Sequence, residues 1–226
     1  MERSYLRAWA PHLLGGAALA GAVYFAVAAS GGPPCGRALA DAEKRGPPWT
    51  DGVPPDWRLL FSVPGLSEGD APPLPSRVAA RHLFVRSLAG AERVRQWALF
   101  LSPDRTALTG RAELGTGGLC GHPGMAHGGL LASLLDDACG GLFLASGRSG
   151  FTVNLSVSYK LPVFIPAEGV RLRVDVRLDR EEPSASRPGS MKVFLTAAIR
   201  SADGETVHAL CTALFMTSGE GRCLIV

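Results

Sequence analysis

A glycine turn leads into an apolar helix in the stretch His127-Gly128-Gly129-Leu130-Leu131-Ala132-Ser133-Leu134-Leu135-Asp136-Asp137. It places small residues with free backbone N–H groups at the start of an apolar helix, and carboxylates inside that helix. A helix N-terminus stabilises a developing oxyanion, and a carboxylate in an apolar helix is costly unless it has a partner or a function. The stretch therefore indicates a site for acyl transfer or hydrolysis.

The spacing within this stretch bears on the assembly. Gly128 and Asp136 are eight residues apart, which is about 12 Å along a helix axis. An oxyanion donor and a base or nucleophile must both lie within roughly 3 Å of the reacting group or its water. Two antiparallel copies of the helix would bring Gly128 of one chain beside Asp136 of the other. The spacing predicts a homodimer with two shared sites, or a dimer of dimers.

Four sequence elements carry a family resemblance. In chain order they are His127-Gly128-Gly129, Asp136, Thr152-Val153-Asn154-Leu155 and Tyr159-Lys160-Leu161-Pro162. Together they resemble the PaaI-like hotdog-fold acyl-CoA thioesterases, in particular the eukaryotic thioesterase-superfamily branch. The resemblance covers roughly residues 93 to 218. It implies an α+β hotdog fold, in which an antiparallel sheet wraps around one long central helix.

The resemblance also implies roles for individual residues. Gly128 is the amide that polarises the thioester, Asp136 is the nucleophile or general base, and Thr152 is an active-site hydroxyl. The expected catalytic residues are Asp136, Gly128, His127 and Thr152, and the expected substrate contacts are Gly129, Asn154 and Lys160. Asp137 is the weaker alternative carboxylate, since it fits a solvated polar strip on the helix.

One departure from the resemblance concerns the residues before the glycines. Some relatives carry an Asn just before the His-Gly-Gly motif, and here the region reads Cys120-Gly121-His122-Pro123-Gly124. Either His122 or His127 is then the residue that takes the positioning role.

The activity implied is hydrolysis of an acyl-CoA thioester to free acid and CoA. No cofactor is expected, because CoA is part of the substrate, and no metal cluster is visible in the sequence. A thioesterase that releases a product in secondary-metabolite biosynthesis is one alternative. A non-catalytic hotdog protein that binds acyl-CoA or acts as a scaffold is another, although the presence of both Asp136 and Gly128 argues against it.

Composition excludes other function classes. The net charge of +3 over 226 residues is too mild to indicate a nucleic-acid partner, and no dense basic patch interleaved with aromatic residues is present. The five cysteines are odd in number, scattered, and contain no C-x-x-C pair. This pattern predicts reduced thiols without a zinc site or a disulfide framework.

The two ends of the chain carry possible membrane signals. Residues 13–29 are uncharged and follow Arg3 and Arg7; as a helix they span about 26 Å, the short end for a membrane crossing. A cleaved signal peptide, a mitochondrial targeting segment and an uncleaved single-pass anchor are the three interpretations. We favour the anchor, with a soluble catalytic domain. The terminal Cys223-Leu224-Ile225-Val226 has the form of a prenylation signal, but terminal Val is not a preferred residue.

The chain divides into four predicted parts. Residues 1–30 form the hydrophobic segment, residues 31–80 a Pro/Gly-rich linker, residues 81–218 the hotdog domain and residues 219–226 a tail. Within the linker we expect one short helix at 37–44. We also expect its apolar residues to dock onto the domain: Trp49, Trp57, Leu59, Leu60 and Phe61.

Hydrophobic periodicity gives the elements of the domain. We expect strands at 95–101, 107–114, 151–160, 170–179, 191–201 and 205–217, and one helix at 128–145 that ends at Gly147. The last four strands are expected in meander order. In the first of these, residues 151, 153, 155, 157 and 159 are expected to form one buried face, with Thr152 on the polar face. Gly140 and Gly141 are expected to allow close approach of a strand or a partner helix.

Overall fold

A computed structural model describes residues 49–63 and 82–218. Within these residues the chain forms nine strands, one π-helix and one α-helix, α1. The strands are β1 (Arg58–Val63), β2 (Val94–Leu101), β3 (Ala107–Leu114), β4 (Cys120–His122), β5 (Met125–Ala126), β6 (Gly150–Tyr159), β7 (Val170–Pro183), β8 (Met191–Ser201) and β9 (Val207–Thr217). The π-helix is Leu83–Leu88 and α1 is Gly128–Ala145. The α+β class is confirmed.

Seven strands form one antiparallel sheet around the helix. Their order is β1-β2-β3-β7-β8-β9-β6, and β4 and β5 form a separate small pair. The apolar side chains of β3 and β7 point to one face and are buried there, as in Leu108 and Val174. Helix α1 packs against β2, β3 and β6–β9. Leu134 and Leu135 of α1 have no solvent exposure, so the core lies between the helix and the sheet.

A glycine permits the closest approach of helix and sheet. A Cβ added at Gly141 would lie 2.8 Å from Cδ1 of Leu99 in β2, so a larger residue there would force the two elements apart. Gly140 has no heavy atom within 4 Å of the same position. Gly141 therefore makes the predicted close approach to a strand, and the space beside the neighbouring Gly140 is open.

The meander prediction is wrong for one strand. β7, β8 and β9 are consecutive neighbours, but β6 pairs with β9 and lies at the sheet edge. The segment 160–169 carries the chain from β6 to β7 on the far side of the β8–β9 hairpin. The pairing of β6 with β9 follows from how both strands pack against α1. Hydrophobic periodicity within a single strand does not encode that packing.

The predicted buried face of β6 is also only partly correct. Leu155 and Val157 pack against the core, but Phe151 and Val153 are 53% and 48% exposed. Among the described residues β6 pairs on one side only, so no described strand covers its outer edge. Open edges and exposed apolar side chains are the usual features of a strand that meets another chain.

Strand β1 was missed by the sequence analysis. It lies within the predicted linker and pairs with β2, with a register shift between Leu59 and Phe61. The predicted docking of apolar residues is confirmed for Leu60 and Phe61, which pack against the core. Its Pro-rich flanks conceal the strand from local sequence patterns, because its partner β2 begins about 30 residues later.

The segment before β1 is held by a buried arginine of β3. Trp49 lies 4.8 Å from the Arg111 guanidinium, which also donates a 2.9 Å hydrogen bond to the Asp51 carbonyl. Burial, followed by the charge of Arg173, lowers the pKa of Arg111 to about 10. The predicted docking of Trp49 is therefore confirmed, and an arginine on the outer face of the sheet provides the contact.

Several predictions concern residues that the structure does not describe. The hydrophobic segment 13–29, the short helix at 37–44 and the C-terminal tail lie outside the described residues. Within the described part of the chain, one helix is long and apolar enough to cross a membrane by length and composition. That helix is Gly128–Ala145, whose leucines pack into the core of the sheet.

Candidate active site

The N-terminus of α1 leaves one backbone donor free. His127 is the N-cap, and its Nδ1 accepts a 2.9 Å hydrogen bond from the Gly129 N–H. The His127 N–H donates to the Leu119 carbonyl at 2.7 Å. The Gly128 N–H has no hydrogen-bond partner among the described residues. Of the first two helical N–H groups, only that of Gly128 is therefore available to an incoming oxygen.

The same contact assigns a role to His127. Because Nδ1 accepts a hydrogen bond, the neutral ring carries its hydrogen on Nε2. The side chain is exposed beside the helix terminus, so Nε2–H is a second outward-facing donor. His122 lies in β4, and its side chain makes no hydrogen bond within the described ranges. Of the two histidines, it is His127 that contacts the glycine turn.

Tyr159 packs on the first turn of the helix. Its hydroxyl donates a 2.8 Å hydrogen bond to the Gly128 carbonyl. A Cβ added at Gly128 would lie 3.3 Å from Cζ of the Tyr159 ring, so the ring covers the glycine closely. Tyr159 belongs to a sequence motif from which no role for it was predicted. In the structure it holds the N-terminal end of α1 against β6.

Asp136 accepts a hydrogen bond from β6. The Thr152 hydroxyl donates to Oδ1 of Asp136 at 2.9 Å, and Asp136 is half-buried on α1. Thr152 pairs with Phe215, whereas Asn154 pairs with Leu214, so Val153 is the extra residue of a β-bulge. The bulge turns Thr152 toward the helix, and the expectation that it lies on the polar face is wrong. Bulges commonly re-aim a side chain next to an active site.

Asp137 points in a different direction from Asp136. Its Oδ2 accepts a 2.6 Å hydrogen bond from the indole N–H of Trp97, and its Oδ1 lies 3.3 Å from Nε2 of His82. The side chain is 18% exposed, so the expected solvated strip is wrong for this residue. A buried tryptophan needs a hydrogen-bond acceptor for its indole N–H. That requirement was the sequence signal that could have indicated a structural role for Asp137.

The two remaining expected substrate contacts lie on the surface. Asn154 and Lys160 are both exposed, and neither side chain has a partner within the described residues. Lys160 follows Tyr159 directly, which places its backbone near the N-terminus of α1. The structure thus forms two groups of expected site residues. Asp136 and Thr152 are in contact, and His127, Gly128 and Gly129 lie together at the start of α1. Within α1, Gly128 and Asp136 are eight residues apart.

The cysteines nearest this site are thiols. Cys120, Cys139 and Cys211 are free in the described chain. A hydrogen bond to Cys211 and burial raise the pKa of Cys139, with the Asp136 charge acting in the same direction. The hydrogen bond from Cys139 lowers the pKa of Cys211. Among the described residues, no group of three His, Cys, Asp or Glu side chains is arranged to hold a metal ion.

Sequence comparison finds two groups of related proteins. The chain is 34% identical over 98 residues to acyl-coenzyme A thioesterase THEM4 of Xenopus laevis, covering 42% of this chain and 39% of that protein. It is 26% identical over 134 residues to acyl-coenzyme A thioesterase THEM5 of Homo sapiens, covering 59% of this chain and 50% of that protein. The matched segment thus spans half or less of the length of these relatives. No family model matches the chain.

Structure comparison gives partial matches at low identity. A Streptococcus mutans protein solved with bound acetyl-CoA is 17% identical, with a TM-score of 0.46, covering 60% of this chain and 95% of that one. Zebrafish thioesterase superfamily member 2 is 15% identical, with a TM-score of 0.44, covering 53% of this chain and 80% of that one.

The sequence relatives confirm the resemblance inferred from the motifs. The observed antiparallel sheet around one helix fits a hotdog-fold thioesterase. Over its matched segment, the chain is a sequence relative of proteins named acyl-coenzyme A thioesterases.

Proposed function

We propose that this protein hydrolyses acyl-CoA thioesters to a free acid and CoA. One observation carries the proposal: a single helix presents an unpaired Gly128 N–H at its terminus and an Asp136 carboxylate held by Thr152 on its side. The first group suits a developing oxyanion and the second suits a general base. The relatives named acyl-coenzyme A thioesterases support the same activity.

Each active site is proposed to combine two chains. Gly128 and Asp136 both belong to α1, and eight residues of helix separate them by about 12 Å. One thioester cannot contact both groups of one chain within hydrogen-bond distance. An antiparallel second copy of α1 would place its Asp136 near the first copy's Gly128, giving two equivalent sites related by a two-fold axis.

Features of the surface support this homodimer. No strand in the described part of the chain pairs with the outer edge of β6, and Phe151 and Val153 beside it are 53% and 48% exposed. The uncovered side of α1 carries small residues, and the space beside Gly140 is open. Edge pairing of two β6 strands would bury the apolar side chains and bring the two helices together. A dimer of dimers would use further surfaces.

The proposed reaction uses these groups in one sequence. The Gly128 N–H donates to the thioester carbonyl oxygen and stabilises the charge that develops there. The Thr152 hydroxyl occupies Oδ1 of Asp136, which leaves Oδ2 to accept a proton from water. The water oxygen attacks the carbonyl carbon, the C–S bond breaks, and the CoA thiolate takes up a proton. Water is the co-substrate, and no cofactor enters the reaction.

The CoA portion is proposed to lie along the exposed residues near Tyr159. The Lys160 ammonium is exposed and has no partner in the described chain, which makes it available to a phosphate group. Asn154 is likewise exposed on β6 and offers an amide to the substrate. Arg171 and Arg173 of β7 are less suited to this role, because they already pair with Glu113 and Asp175.

A panel of acyl-CoAs tests the activity. Release of CoA is followed with a thiol reagent, using acyl groups of different length and shape and the wild-type protein beside Asp136→Asn. Turnover that depends on Asp136 would support the proposal. Binding of acyl-CoA without turnover would contradict hydrolysis and favour the non-catalytic alternative. Turnover only with a bulky aromatic or polyketide-like acyl group would favour release of a secondary metabolite.

We also propose that the domain is held at a membrane by residues 13–29. Support comes from the uncharged run in the sequence and its preceding arginines. A mitochondrial location is compatible with the same segment. The structure describes none of these residues, so fractionation of the full chain is the test.

A further inference from the structure

A cavity of about 220 Å³ lies beside the first turn of α1. It is lined by Leu83, Leu88, Leu119, Leu130, Ser133 and His127, together with Gly118 and Gly129. We call it the leucine cavity. We propose that the leucine cavity receives the acyl chain of the substrate and selects straight, unsubstituted chains of about eight carbons. This inference rests on the proposed function and adds the substrate class.

The cavity wall opposite α1 is fixed in place. It is the π-helix Leu83–Leu88, an uncommon conformation that often marks functional sites. Phe84 is buried and its ring centre lies 5.7 Å from that of Trp97. At one end His82 contacts Asp137 at 3.3 Å, and at the other end Arg93 donates to the Ser87 carbonyl. The wall is therefore pinned at both ends.

The cavity is continuous with the proposed reaction site. His127 and Gly129, which line it, are the two neighbours of Gly128 in the chain. A carbonyl oxygen bound to the Gly128 N–H therefore leaves the acyl chain at the cavity entrance.

The lining predicts an apolar occupant. Four leucines provide most of the surface, and the Ser133 hydroxyl already donates to the Gly129 carbonyl at 2.9 Å. A hydroxylated or charged chain would lose its hydration against these leucines, and among the lining side chains only that of His127, next to Gly128, has a free donor to offer it. An unsubstituted hydrocarbon chain has no polar groups whose hydration would be lost.

The volume sets the chain length. If each heavy atom takes about 30 Å³, the space of a water molecule in the liquid, 220 Å³ accommodates about seven of them. Seven carbons beyond the carbonyl give a chain of about eight. Each methylene placed in the cavity should tighten binding by up to about fourfold, the value for full burial. Longer chains would protrude through the open side of the cavity, and their additional methylenes would increase the binding affinity little.

Binding of S-alkyl-CoA thioethers to the full chain tests the proposal without requiring turnover. Calorimetric titration with the ethyl, butyl, hexyl, octyl and decyl compounds should show Kd falling steeply up to octyl and then levelling. Hydrolysis of the matching acyl-CoAs should follow the same profile in kcat/KM. Thioether binding with this profile but no hydrolysis would contradict the proposed function and leave the leucine cavity supported.

Two variants locate the effect in the cavity. Ser133→Leu fills it and should weaken octyl-CoA binding about tenfold or more, with little effect on ethyl-CoA. Leu83→Ala opens the wall and should flatten the length dependence; Leu83 is 47% exposed, so the fold should tolerate this change. Leu144→Ala, at the far end of α1 and 39% exposed, is the control and should keep the wild-type profile.

Three results would overturn the inference. One is a wild-type Kd that does not depend on chain length. Another is equal weakening of ethyl and octyl compounds by Ser133→Leu in a protein whose thermal unfolding matches wild type. The third is a change in profile for Leu144→Ala as large as that for Leu83→Ala. If Ser133→Leu does not fold, the Leu83→Ala comparison decides.

Discussion

The Thr152 hydroxyl donates a 2.9 Å hydrogen bond to Asp136 because the bulge at Val153 turns it toward α1. Without the extra residue, strict alternation would put Thr152 on the face opposite Leu155, which packs against the core. The bulge thus gives one strand both a core-packing half and a residue that orients the carboxylate. Thr152 fixes one oxygen of Asp136 and leaves the other free.

Removing the Thr152 hydroxyl should lower turnover more than stability. A hydrogen bond to a charged group contributes about 1.5 to 3 kcal/mol, so Thr152→Val should lower kcat about tenfold or more, with little change in KM. Valine keeps the shape and the strand preference of threonine. Thr152→Ser restores the hydroxyl and should recover most of the activity. An unchanged kcat for Thr152→Val would contradict the orienting role.

Asp136→Asn should abolish most of the activity while the fold is kept. The amide is nearly isosteric but accepts no proton, and loss of a general base typically costs about 10² to 10⁴ in rate. Steady-state kinetics with an acyl-CoA that the wild type hydrolyses gives the measurement, and circular dichroism checks the fold. Near-native turnover would remove Asp136 from the mechanism and direct attention to Asp137 or His127.

Asp137→Ala should have the opposite signature, with a larger effect on stability than on turnover. Trp97 has no solvent exposure, and its indole N–H would lose its partner. An unsatisfied buried donor costs about 1 to 3 kcal/mol, which urea unfolding would detect as a lower midpoint. Glu182→Ala breaks an exposed ion pair with Lys192 and should change stability by less than about 1 kcal/mol. Equal effects of both substitutions would contradict this assignment.

The sequence predicts most elements of the domain. Ala107–Leu114 and Met191–Ser201 have the bounds expected from the sequence, because turn residues at Asp104 and Asp203 mark the ends of these strands. Gly128–Ala145 likewise begins after its histidine cap and ends before Gly147, which has a φ of +81°. Local periodicity and turn chemistry are sufficient at these positions.

The features that escaped sequence reasoning depend on long-range contacts. The Trp97–Asp137 hydrogen bond joins residues 40 positions apart. The Val153 bulge exists only in the pairing of β6 with β9. The edge position of β6 likewise depends on β9, which lies between β6 and β8. The candidate site was predicted where its groups share one helix, as in Gly128 and Asp136. It was incomplete where another element supplies the contact, as with Tyr159.

The full chain should behave as an integral membrane protein. Residues 13–29 contain no charged side chain, and a helix of this length reaches about 26 Å. After cell fractionation the protein should pellet with membranes and resist extraction by high salt or alkaline carbonate. Deletion of residues 1–30 should release a soluble, active protein. Full-length protein that is soluble and retains Met1 would contradict the anchor.

Complementation between two inactive variants tests the shared site. Asp136→Asn removes the base, and Gly128→Pro removes the N–H. Proline fits this position, because His127 has φ −66° and ψ 132°, the extended conformation that a residue before proline prefers. Proline is also common at the first position of a helix. The exposed Tyr159 ring must yield by a few tenths of an ångström.

In a mixed dimer of Asp136→Asn and Gly128→Pro, one site carries both substitutions and the other carries neither. Random re-association makes half the dimers mixed, and each has one intact site of two, so about a quarter of wild-type activity should return. Differently tagged chains and native mass spectrometry would establish that mixed dimers form, and each variant alone should remain inactive. Because about 12 Å of helix separates Gly128 from Asp136, recovery is expected only if each site draws them from different chains. Mixed dimers without activity would place the whole site within one chain and contradict the two-chain mechanism.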